Sequence, residues 1–385
     1  MAGSLVRGRV ATCLVFLAFG TALGAWTARI PAIKHDLGLG DGQLSIGLLA
    51  FAAGAITGMQ VVGRLVDRHR STAVMVPAAI VEGVCLTFPA LAVDVVSLAA
   101  ALFAFGAVHG SLNIAMNAHA VEVQRAWGKP IMSSFHAVYS VGGFLGAAIG
   151  GLFAHSNLGP GVTFAAVGAG VAALALWAAR WTLRLEAPRP TTNPGWNGTT
   201  APGVVFLGIL VFCCMVGEGA AADWSSVYLR ESLGSAAGVA AAAYAAFSIM
   251  MVAGRLVGDR LAARLGPVNL VRGCGALAAA GLGIALLIGH PVAGVIGFGC
   301  LGAGLSCIAP QIFSHAGDRD PARAGQAIAR VASVGYLGFL TGPLLIGAAA
   351  EAVGLPWALT IPAILAFFVT LTAAALRPRR VHAHA

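Results

Sequence analysis

Gly63-Arg64-Leu65-Val66-Asp67-Arg68 follows an apolar run and recurs, with one residue inserted, as Gly254-Arg255-Leu256-Val257-Gly258-Asp259-Arg260, about 191 positions later. Two further strings repeat in the same order at nearly the same offset. Ser140-Val141-Gly142 returns as Ser333-Val334-Gly335, and Phe105-Gly106 returns as Phe298-Gly299. One short match is expected by chance, whereas three in order at one spacing mark an internal duplication. The duplicated unit covers half of the 385 residues, and its apolar runs decide what it is.

Those runs are about twenty residues long, the length at which a helix crosses a ~30 Å hydrocarbon core. The chain is 58% hydrophobic and 10% charged, with mean hydropathy +0.87. A soluble domain carries roughly a quarter of its residues charged, so a soluble globule is excluded. Without alternating strands of about ten residues, an outer-membrane barrel is excluded as well. Apolar windows predict spans at 10–32, 43–65, 72–92, 96–119, 132–153 and 162–183, then at 203–228, 236–257, 268–289, 292–314, 327–350 and 355–376. Between the two sets, the stretch from Arg184 to Ala201 holds Pro, Gly, Asn and Thr that neither continue a helix nor bury a core. The expected architecture is an all-α polytopic membrane protein. It has twelve transmembrane helices in two six-helix pseudo-symmetric bundles, 1–183 and 203–385, joined by a linker at 184–202.

If Arg7 and Arg9 lie in the cytoplasm, alternate loops collect 20 of the 23 basic residues, and only Arg29, Lys34 and Arg230 fall on the other side. The positive-inside rule then places both termini and the linker in the cytoplasm. A multi-pass location in the cell inner membrane is expected, with the first span retained despite its likeness to a signal-peptide apolar region. Reporter fusions at Asn157 and at Gly195 should report opposite compartments, and the same compartment for both would refute the twelve-span map. The seven cysteines sit in apolar runs, odd in number and without C-x-x-C spacing, so neither a disulfide framework nor a zinc site is expected. The net charge of +9 follows from basic residues at span ends with no aromatic interleaving, which is topology rather than a nucleic-acid surface.

Six plus six spans, cytoplasmic ends and the loop Gly63-Arg64-Leu65-Val66-Asp67-Arg68-His69-Arg70 together resemble the major facilitator superfamily over the whole chain. The loop is similar to the family signature of Gly, Asp four residues later, then clustered Arg. The stretch Asn113 to Gln124 and Ser134-Phe135-His136 resemble its fucose-permease-like branch. The resemblance implies halves that rock around a midplane site lined in part by span 7. It also implies a cytoplasmic gate of Gly63, Arg64, Asp67 and Arg68, with Arg255, Asp259 and Arg260 as the second-half counterpart. The residue inserted between Gly254 and Asp259 is a departure from that pattern. A carboxylate such as Asp67 near helix N-termini and Arg side chains latches through dipole and charge pairing, while the arginines also read as topological charge.

Chemistry should then sit on polar side chains within spans. The intramembrane acids are Glu82 in span 3, Glu218 in span 7 and Asp223 nearer the outer end of span 7; such residues default to a proton or ion role because a buried carboxylate is costly unless protonated or paired. Glu218, between Gly217 and Gly219, is the candidate proton carrier, and the alternative is a structural carboxylate bonded to a neighbouring helix. That alternative is favoured for Glu82, and a solvated helix end is favoured for Asp223. His109, Asn113 and Asn117 recur at i, i+4, i+8 and form a polar stripe on one face of span 4. Amides that donate and accept suit a neutral polar solute, with interhelical hydrogen bonding as the other reading. Gln311 in span 10 falls beside Asn117 under the repeat offset, and His136 and Tyr139 form a polar group in span 5. Trp26 and Trp224, at symmetric outer positions, are either a clamp for a substrate ring or part of the interfacial aromatic belt.

No G-x-x-x-x-G-K-[ST] exists and only two lysines occur, Lys34 and Lys129, so no nucleotide cradle is present. No H-E-x-x-H, G-x-S-x-G or paired-Asp motif supports an enzyme. The expected function is secondary active transport of a small, neutral polar organic solute by alternating access, driven by protons, with a proton-driven drug or metabolite exporter as the alternative. A membrane receptor or scaffold is a more distant reading, since no soluble domain accompanies the spans. No cofactor or metal is expected, membrane lipid is the surrounding partner, and a monomer is expected.

Overall fold

The computed structural model describes residues 2–183, 202–319 and 321–377. The expected linker lies outside the described residues except for Pro202 at its end. Helices run α1 Ala2–Asp36, α2 Asp41–Arg68, α3 Ser71–Cys85, α4 Val95–Trp127, α5 Met132–His155, α6 Pro160–Ala179, α7 Pro202–Val227 and α8 Ala237–Ile288. They continue as α9 Pro291–Leu305, α10 Ile308–Arg319, α11 Ala324–Val353, α12 Leu355–Ala358 and α13 Thr360–Thr372. No strand occurs among the described residues.

Among the described residues, eleven continuous helical stretches are long and apolar enough to cross a membrane, where the sequence predicts twelve. The difference lies in α8, whose 52 residues would run about 78 Å at 1.5 Å per residue, more than twice a bilayer core. Gly266, at φ +74°, interrupts it just before Pro267. That left-handed backbone suits glycine, and the proline cannot donate into the preceding turn. The helix is therefore two spans joined without an intervening loop. Elsewhere the spans are also segmented: 292–314 is divided between α9 and α10, and 355–376 between α12 and α13.

The chain divides into two compact units, Met1–Val204 with Ala316–Ser333, and Val205–His315 with Val334–Ala385. In the first, α1 packs on α5, α2 on α4, and α3 on α4 and α6. Glycines set those distances. Gly20 and Gly24 of α1 face the Tyr139 and Gly143 carbonyls of α5, and Gly142 and Gly146 return the contact to the Leu17 and Thr21 carbonyls. Gly54 and Gly58 lie against Phe103 and Ala107, with Gly106 and Gly110 against Phe51 and Ala55, a second seam of the same kind between α2 and α4. Small residues let backbones touch where lipid offers no hydrophobic drive. The entry to α4 is fixed by Asp94, which accepts from the Ser97 N–H at 2.7 Å; the Ser97 hydroxyl and amide hold this exposed carboxyl below the usual carboxylate range. The second unit packs α8 against α9 and α13. None of the seven cysteines is in a disulfide.

Candidate functional site

Polar residues are scarce inside each unit, and their partners are specific. In the first unit, α3 brings Glu82 to α4, where its Oε1 lies 2.6 Å from His109 Nδ1. The two side chains are 0% and 1% exposed. The sequence placed these residues in different roles; the fold makes them a pair. Phe19 of α1 stacks on the imidazole with centroids 3.9 Å apart and 12° between planes, and Phe51 and Phe105 crowd its other sides. Next on the α4 stripe, Asn117 donates to the Asn113 backbone carbonyl at 2.9 Å and to its side-chain oxygen at 3.1 Å. The amides therefore bond to each other along one helix, and the buried Asn117 Oδ1 has no hydrogen-bond partner.

On α5, His136 and Tyr139 are partly exposed; His136 meets Phe16 edge-on at 5.5 Å, and Tyr139 lies 5.6 Å from Phe19. Trp26 is 2% exposed and packs against Phe164 at 6.0 Å in the cluster around Leu98, Leu102 and Phe105. It is core, so the structure gives no support to the ring-clamp reading. Trp224 is partly exposed, its ring against Gly347 of α11 and its buried indole N–H without a hydrogen-bond partner.

In the second unit, Glu218 of α7 has Arg255 of α8 at 3.9 Å, with side chains 21% and 9% exposed. The sequence grouped Arg255 with Asp259 and Arg260; the fold turns its guanidinium toward Glu218. Cys214, one turn earlier on α7, directs its thiol at Glu218 Oε1 at 4.0 Å and at the Leu305 carbonyl at 3.7 Å. Asp223 is exposed, Gln311 is buried on α10, Asp259 is half-buried and Arg260 is exposed.

Asp67 is held by several hydrogen bonds. Its carboxylate accepts from the Gly325 and Gln326 N–H groups at 2.7 and 3.1 Å and from Gln326 Nε2 at 2.8 Å, capping the free N–H groups at the start of α11. Gly63 lies one turn earlier, close against Ala329 and Gly325, so no larger residue fits there. Arg64 and Arg68 are exposed. Charge-assisted hydrogen bonds of this kind contribute about 1.5–3 kcal/mol. Asp67→Asn replaces one acceptor oxygen by a donor facing another donor. Amide exchange at Gly325 and Gln326 is therefore expected to accelerate at least tenfold, read by deuterium uptake, with solute affinity changed less than twofold. Unchanged exchange with weakened binding would place Asp67 in the binding site instead.

Two further polar clusters escaped the sequence reading. Ser71 donates to Glu122 at 2.6 Å and lies 2.9 Å from the buried His119 Nδ1. Arg125 meets Asp318 at 2.6 Å and also donates to the Gly317 carbonyl. The separation of Arg125 and Asp318 is 193, the offset of the internal repeat, and that coincidence was the signal available to find the pair.

A family model described as Major Facilitator Superfamily matches residues 10–324 and 207–385. An uncharacterised MFS-type transporter of Yersinia pestis is 34% identical over 380 residues, covering 96% of each chain. An uncharacterised transporter of Sinorhizobium fredii is 34% identical over 370 residues, covering 94% of this chain and 96% of its own. A solved structure of FucP in the outward conformation aligns with a TM-score of 0.81 at 17% identity, over 98% of this chain and 100% of that one; FucP is the fucose:proton symporter of E. coli.

Proposed function

The chain belongs to the major facilitator superfamily and is a multi-pass membrane transporter; from that premise we propose that it carries a small, neutral polar organic solute by alternating access, driven by protons. It works in the cell inner membrane with both termini in the cytoplasm. The observation that carries this reading is the Glu218–Arg255 group: a carboxylate within a span, 21% exposed, with a guanidinium 3.9 Å away. An acid so placed is wet enough to exchange a proton and dry enough for that proton to matter. While the acid is ionised it balances the cation beside it, and the group then offers no net positive charge to hold an anion. The Asn113 and Asn117 amides supply donors and acceptors for hydroxyls, and the fold shared with a fucose:proton symporter agrees with a sugar-like solute.

A thermal-shift screen of neutral sugars and polyols against the purified protein should find a stabilising solute. Proteoliposomes should then accumulate that solute, labelled, under an imposed pH gradient. Accumulation unchanged when the gradient is collapsed by an ionophore would overturn proton coupling, and stabilisation only by anionic ligands would overturn the neutral-solute assignment.

A further inference from the structure

We propose that Glu82 and His109 form one shielded proton site inside the first unit, a neutral pair that holds a single shared proton and exchanges it with water only when Phe19 leaves the imidazole face. As a coupling element it rests on the proton-driven reading above; as a proton site it stands on its own geometry. The site is separate from Glu218, which is partly exposed and has a cationic neighbour.

Proton counting fixes the state of the pair. With two protons it carries +1, with none −1, and only with one is it neutral. Its side chains are 1% and 0% exposed at 2.6 Å separation, and Glu82 Oε2 is buried without a hydrogen-bond partner. An uncompensated charge in such a place costs several kcal/mol, so the closed pair keeps one proton. What faces it is apolar or uncharged: Phe19 from α1, Phe51 from α2, Phe105 on α4 and, across from α3, the Gly83–Gly168 contact with α6. The Cys85 thiol, one turn along α3, is a titratable neighbour of Glu82, and the Tyr139 phenol lies beyond Phe19. No charged group in this set supplies a counter-charge.

Phe19 is the shield. Its ring covers the imidazole at 3.9 Å on one side and lies 5.6 Å from Tyr139 on the other, where His136, Tyr139 and Ser140 are partly exposed. Gly20, the next residue, sits against the Tyr139 carbonyl in the α1–α5 glycine seam, so a shift along that seam carries the ring with it. Once water reaches the pair, the shared O–H or N–H bond breaks and the proton passes to water. A hydrated carboxylate and a neutral imidazole remain, and reloading is the reverse.

The test uses the full chain reconstituted in phosphatidylethanolamine/phosphatidylglycerol vesicles and moved into deuterium oxide, with infrared bands of the pair assigned through Glu82→Gln and His109→Gln. Sharing requires that each substitution alter the partner's bands, and a carboxyl band unchanged in His109→Gln would overturn it. Shielding requires that the pair deuterate at least tenfold faster in Phe19→Ala than in the parent. Equal rates would overturn it. Should Phe19→Ala fail to fold, Phe19→Leu keeps the bulk and removes the flat stack, and the same acceleration is expected. No solute enters this measurement, so a failed transport assignment and a failed proton site give different results.

Discussion

Gly146→Leu is expected to leave almost no folded protein in the membrane. A Cβ at this position would collide with the Thr21 carbonyl and stand 2.7 Å from the Ala25 amide nitrogen, both backbone atoms of α1 that cannot rotate aside. Overpacking costs about 1–3 kcal/mol where neighbouring side chains can adjust; here the obstacle is another helix's main chain, and the upper end of that range is the minimum. About 3 kcal/mol is more than a hundredfold in the folded fraction, a large share of ordinary stability. Gly151 lies five residues further along α5, on another face of the helix, and is exposed with nothing within 4 Å of where a Cβ would stand, so Gly151→Ala should be tolerated. Size-exclusion profiles of detergent-extracted fluorescent fusions separate the two. If Gly146→Leu elutes as a parent-like monodisperse peak, α1 and α5 are not in backbone contact.

That seam, and the fold with it, were legible because they rest on local signals. Twenty-residue apolar runs, the basic asymmetry and the string recurring from Gly63 to Gly254 are all readable along one dimension. The glycines Gly142, Gly143, Gly146, Gly150 and Gly151 read along the sequence as one packing surface, but their spacing tells neither which helix it meets nor that Gly151 lies outside it, exposed. The junction at Gly266 was readable as two spans but not as a loopless one, since the geometry depends on a single left-handed residue.

The site was less legible, for a physical reason. His109, Asn113 and Asn117 share a face by spacing alone, and that much followed from the sequence. Whether each bonds along its own helix or across to another depends on how far α3 and α4 are rotated about their axes, which no spacing encodes. Hence His109 met Glu82, 27 residues away, while Asn117 turned back to Asn113. Likewise Arg255 belongs by motif to a loop and by rotation to Glu218, where a charge inside a span finds its counter-charge. Trp26 sits near a span end, as an interfacial tryptophan would, yet is packed away in the core.

Glu218→Gln is expected to abolish solute accumulation under a pH gradient, at least a tenfold loss, while equilibrium exchange across equal concentrations continues within about twofold of the parent. Glutamine keeps the length of the side chain and imitates the protonated acid, so a site that has only to be occupied still works. What it cannot do is release a proton on one side and take one up on the other, and accumulation requires that cycle. Arg255 separates coupling from structure here. If Glu218 served only to neutralise that guanidinium, 3.9 Å away in a largely buried place, the substitution would strand a buried cation. Removing one partner of a buried pair typically costs about 3–5 kcal/mol, so folded yield, exchange and accumulation would all fall together. Glu218→Asp restores a titratable group at a shorter reach and is expected to recover part of the accumulation. The readout is uptake of the solute found by the screen, with and without the gradient, normalised to folded protein. Parent-like accumulation in Glu218→Gln would remove Glu218 as the carrier and move that role to the Glu82–His109 pair.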